Sequence, residues 1–140
     1  MDLSALDTKA VANQGAQLHL KGPDGTPLFQ GEGDQKKPIT LTLIGKDSDE
    51  FQMASNALAN RRIQDAQRKK TALIEEIERD AIRVLASCTK AWDGIVLDGE
   101  ELAHSFENVV KLYTRFPWIR EQVDEFIAER ANFLKASLKI

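Results

Sequence analysis

The sequence predicts an α+β fold, mostly helical, on three observations. Strict alternation of apolar and polar residues is confined to the first third of the chain. Apolar steps of three and four residues dominate everything after Asp47. The large rings are unevenly placed: Phe29 and Phe51 alone precede Trp92, and Phe106, Tyr113, Phe116, Trp118, Phe126 and Phe133 follow it. Rings supply much of the burial in a small core. The expected architecture is therefore a small antiparallel β element, a hairpin plus one strand, attached to a helical domain with one long helix and a C-terminal helix pair.

Residues 1–16 have little periodicity and end near Gly15, which reads as a flexible N-terminal arm with one short helix at most. The β element is expected over 17–45. Leu18, Leu20, Leu28 and Phe29 flank Pro23-Asp24-Gly25, where proline fixes φ and glycine accepts a positive φ, so a hairpin is expected. In "PITLTLIG", Ile39, Leu41 and Leu43 alternate with Thr40 and Thr42, the pattern of a third strand with one buried face. Three short strands need a helix against that face.

The helical domain is expected over 46–136, followed by a tail at 137–140. Asp47 is a candidate N-cap with Glu50 three residues on, and Ser48 is the competing cap. Phe51, Ala54 and Leu58 begin a buried stripe. "ANRRIQDAQRKK" then offers only Ile63, and the stripe resumes at Leu73, Ile74, Ile77, Ala81, Val84, Leu85 and Cys88. Neither glycine nor proline lies between Asp47 and Trp92, so one long helix with a solvated middle is preferred over two. Asp93-Gly94 and Asp98-Gly99 break it. Ser105 can cap a helix running to about Arg115. Pro117 suits the first turn of a final helix with Ile119, Val123, Phe126, Ile127, Arg130 and Leu134 along one face.

A length of 140 residues suits one domain, and 42% apolar with 29% charged residues is ordinary for a globular protein. Net charge is −3, which argues against a general phosphate-binding surface. No apolar run reaches the roughly 18 residues that span a bilayer, and no basic-then-apolar signal pattern opens the chain. Neither nucleic acid nor membrane is therefore an expected partner.

Constellations for chemistry are lacking. His19, Cys88 and His104 form no close ligand pair, and Cys88 lies on an apolar stripe, where a free cysteine is ordinarily core. The glycines make neither a phosphate loop nor a dinucleotide fingerprint. Carboxylate pairs such as Glu75-Glu76 and Glu100-Glu101 lack the burial that raises an acid's pKa. No enzyme, metal or cofactor is expected. The basic cluster Arg61, Arg62, Arg68, Lys69 and Lys70 lacks interleaved aromatic residues, so it reads as a solvated face, with docking of an acidic partner as the alternative. Trp118 and Phe133 fall off the Ile119 line and Phe116 sits at a joint. These three rings are core in one reading and partner contacts in the other.

The order and spacing of several stretches resemble the tail assembly chaperones of long, flexible-tailed bacteriophages. They are "ITLTLIGKDSDEF", then Trp92 with a turn ending at Asp98-Gly99, "FENVVKLY", "PWIREQV" and the terminal "FIAERANFL". The resemblance spans roughly residues 17 to 136. It implies a non-enzymatic factor in the host cell cytoplasm, absent from the mature virion. Such a factor binds the tape measure protein and keeps it soluble while tail tube subunits polymerise. It also implies a frameshift-extended form that recruits the tail tube protein, and self-association as a homo-oligomer. A small structural tail or head–tail junction protein, or a nucleic-acid-binding regulator, are the competing readings.

Overall fold

The computed structural model describes residues 1–68 and 73–138. After a 3-10 turn at Leu3–Leu6, helix α1 spans Thr8–Gln14, where the Asp7 carboxylate accepts from the Ala10 N–H at 3.0 Å. The start of the chain is thus not simply a free arm: Ala12 of α1 is buried, and α1 packs along the last helix of the chain. Gly15 ends α1 at φ +87, and a Cβ there would stand 2.9 Å from the Leu43 carbonyl oxygen. That position needs glycine on both counts.

Strand β1 (Ala16–His19) leads into the expected turn, with Gly25 at φ +86 and its N–H donating to the Gly22 carbonyl at 2.9 Å. The arm after the turn does not become the neighbouring strand of the sheet. Instead β2 (Phe29–Gln30) pairs with β3 (Lys37–Pro38), and the chain enters β4 (Thr40–Leu43), the strand read from "PITLTLIG". Antiparallel β4 lies centrally, between β1 and β5 (Thr89–Asp93). Strand β5 was expected to be helix. Its pairing with Thr40, Thr42 and Leu43 is a long-range contact, which overrides the weak local preference of "TKAWD".

One sheet face is apolar. Leu18, Leu41 and Trp92 stand abreast on it, and Leu41 and Leu43 are fully buried beneath the helices. Trp92 is half-buried, its indole N–H donating to the Leu102 carbonyl at 2.9 Å and its ring meeting His104 edge-to-face. It closes the end of the sheet rather than a groove between helices. Trp92→Ala is expected to cost about 3 kcal/mol in urea denaturation. Wild-type stability of that variant would show that the ring contributes little packing.

The stretch expected as one long helix is two, α2 (Asp49–Gln67) and α3 (Ile74–Ser87). They lie back along each other, and Arg61 and Arg62 of α2 both reach the Asp80 carboxylate of α3, Arg62 at 2.7 Å. Without glycine or proline the break carries no composition signal; a tertiary ion pair marks it instead. Ser48, the competing cap, is the actual one, its Oγ accepting from the Phe51 N–H at 3.2 Å. Asp47 instead takes a two-pronged bond from Arg130, at 2.6 and 3.0 Å. The guanidinium holds the Asp47 carboxyl below the usual carboxylate range.

Past β5, the hairpin β6 (Val96–Leu97) and β7 (Glu100–Glu101) turns at Asp98-Gly99, both at positive φ, as a two-residue hairpin loop of this type requires. Three helices then follow, where a pair was expected: α4 (Phe106–Arg115), α5 (Pro117–Ala128) and α6 (Arg130–Ser137). Ser105 caps α4 as expected, accepting from the Asn108 N–H at 3.1 Å, and Pro117 opens α5. Ile119, Val123 and Ile127 are buried on the predicted line, with Phe126 half-buried beside them. Arg130, read onto that line, is exposed and serves Asp47 from the start of α6.

Candidate partner-binding surfaces

The three rings named from the sequence part company. Phe133 is buried, 2% exposed, and is therefore core rather than contact surface. The break at Glu129 turns α6 inward, so that the Phe133 ring meets Phe126 and lies against Gly45, with Ala12 on the same spot. Phe116 and Trp118 are half-buried and meet edge-to-face at 5.9 Å, each with one side on the core. Trp118 lines a groove between the Pro23–Gly25 turn and α5.

The basic cluster is partly spent on the fold itself. Arg61 and Arg62 neutralise Asp80, which raises the Arg61 pKa, chiefly through the hydrogen bond to that carboxylate. Arg68 caps the end of α2 and is exposed. Lys69 and Lys70 lie outside the described residues.

Residues considered for chemistry do not converge. The Nε2–H of His19 donates to the Leu28 carbonyl at 2.8 Å, and that of His104 donates to the Thr89 carbonyl at 2.9 Å. Cys88 is buried, which pushes its thiol up to about 12 and removes the thiolate that nucleophilic chemistry needs. Beside it the Tyr113 and Thr89 hydroxyls share a 2.6 Å hydrogen bond, and burial raises the tyrosine pKa. Among the described residues no group of three or more His, Cys, Asp or Glu side chains could hold a metal ion.

The surface that sequence reasoning placed in the core is the start of α3. Leu73, Ile74 and Ile77 are 61%, 81% and 51% exposed, while Ile82, Leu85 and Ala86 further along the helix are buried. The apolar stripe of α3 is thus longer than the body that covers it. On α2, the last two turns supply Arg61, Arg62 and Asp65, and the one large apolar residue, Ile63, is itself 57% exposed. Glu75 and Glu76 stand beside the exposed isoleucines, and Glu78 reaches Arg120 of α5 at 3.1 Å. The result is an uncovered apolar ridge with charged flanks. The signal for it was in the sequence: the apolar start of α3 lies against the last turns of α2, where the Phe51, Ala54, Leu58 stripe has run out and only Ile63 is large and apolar.

Such a ridge can bind an amphipathic or partly apolar chain, since burying aliphatic side chains is favourable without any directional chemistry. Compared with protein-family models, with curated proteins and with solved structures, the chain matches none.

Proposed function

We propose that this chain is a non-enzymatic tail assembly chaperone of a long-tailed bacteriophage, holding the tape measure protein soluble while the tail tube polymerises. The observation that carries the reading is the exposed apolar start of α3, Leu73, Ile74 and Ile77. A holdase needs apolar ground that is open in the free protein and charged surface that keeps the complex in solution. A long helical client with apolar stripes is the complement of that ridge. The order of motifs along the chain, from "ITLTLIGKDSDEF" to "FIAERANFL", supports the same reading. Within it, the protein acts in the host cytoplasm, self-associates, is left out of the mature virion, and meets the tail tube protein through a frameshift-extended form. No described helix is long and apolar enough to cross a membrane.

Co-expression tests this. The soluble yield of the tape measure protein is expected to rise several-fold when the two are made together. Equal solubility with and without this chain would count against the chaperone reading. Finding the chain in purified virions would favour a structural tail component instead.

A further inference from the structure

The outer edge of β1 carries backbone groups that no described residue pairs with. Two bonds fix which backbone groups face it. The Leu20 N–H donates to the Ile39 carbonyl at 2.9 Å, and the Ile44 N–H donates to the Cys88 carbonyl at 2.9 Å. In an antiparallel ladder alternate residues point to opposite sides. Ile39, Leu41 and Leu43 therefore bond toward β1, and Thr40, Thr42 and Ile44 toward β5. It follows that Ala16, Leu18 and Leu20 face β4, whereas Gln17, His19 and Lys21 turn their N–H and C=O groups outward.

Lys21 confirms the assignment. The Gln122 side chain of α5 accepts from its N–H at 2.9 Å and donates to its C=O at 2.7 Å. A side-chain amide here occupies the place of a neighbouring strand's peptide group. No such partner takes the backbone groups of Gln17 or His19 among the described residues. That leaves two N–H and two C=O groups available along one edge, a template for another strand.

The edge opens on a groove. At one end lie Leu18, Trp118 and Phe126, in a cleft of about 460 Å³ rimmed by Glu121 and Glu125, with Lys21 opposite. The cleft continues past Phe126 and Asn132 into a second of about 470 Å³, bordered by Gly15 to Gln17 and by Lys135. It is thus apolar along its floor, acidic at the Trp118 end and basic at the other.

We infer that the outer edge of β1 is a strand-addition site for an extended segment of a partner protein, one with alternating apolar residues, a basic residue at its start and an acidic residue at its end. The backbone of such a segment meets Gln17 and His19. Its apolar side chains rest on Leu18, Trp118 and Phe126, and its terminal charges match Glu121 and Glu125 at one end and Lys135 at the other. Antiparallel addition is the better bonded, and it sets the order of those charges. The site is separate from the α3 ridge and does not depend on what the ridge binds.

The probe is a fluorescein-labelled peptide, Lys-Val-Thr-Val-Thr-Val-Glu, titrated into the full chain while the amide resonances of Gln17 and His19 are followed. Saturable binding that shifts those amides is expected. The same peptide N-methylated at the alternate amides that face β1 is expected not to bind. Gln17→Pro removes an outward N–H that the β4 ladder does not use, so it is tolerated at an edge and should weaken binding about tenfold. Equal binding of the two peptides, no binding of either, or wild-type affinity in a folded Gln17→Pro variant overturns the proposal. Should that variant fail to fold, the methylated peptide decides on the wild-type chain. If the chain instead self-associates in light scattering and Gln17→Pro abolishes it, the occupant is a second copy and the partner segment is ruled out.

Discussion

Phe133→Ala is expected to cost about 3–5 kcal/mol, the range for removing a buried aromatic ring. The ring lies between distant parts of the chain: against Gly45 after β4, which Ala12 of α1 also approaches, and against Phe126 of α5, whose ring centroid stands 5.6 Å away. Gly45 cannot fill the space, since it has no side chain to move into it. A domain of this size is stable by about 5–15 kcal/mol, so the loss approaches a third or more of the total. Urea denaturation measures it. A loss under about 1 kcal/mol would place the ring outside the core.

Ile74→Lys combined with Ile77→Lys is expected to do the reverse, leaving the fold intact and removing association. Both side chains are largely in water already, so their replacement takes little burial from the folded state, and the melting temperature should stay near wild type. In a complex, by contrast, each isoleucine that becomes buried contributes about 1.5–3 kcal/mol. Losing both corresponds to about two to four orders of magnitude in affinity. Cationic side chains add a desolvation cost on top. A variant that melts far below the wild type would mean that these residues support the helix hairpin instead.

Local signals carried much of the fold. The Ile39–Leu43 alternation became β4, Asp98-Gly99 became a hairpin turn, Ser105 and Pro117 marked two helix starts, and Ile119, Val123 and Ile127 lie buried as their spacing required. What escaped depends on distant partners. Strand β5 exists because β4 presents a free ladder edge to it. The division between α2 and α3 carries no glycine or proline, and the contacts that join the two helices, Arg61 and Arg62 on Asp80 among them, are tertiary. Phe133 is core because α6 turns at Glu129. The α3 ridge escaped for a further reason. Periodicity reports that a face is apolar, and Ile74, Ile77 and Ile82 share that property, but only the packed body decides which of them is covered.

Capture of a tagged tape measure protein, co-expressed with either the wild-type chain or the Ile74→Lys, Ile77→Lys variant, tests most directly whether the start of α3 holds the client. The wild type should be recovered with the tape measure protein and the variant should not, at matched expression and matched melting temperature. Equal recovery of both chains would contradict the assignment of that ridge as the binding surface.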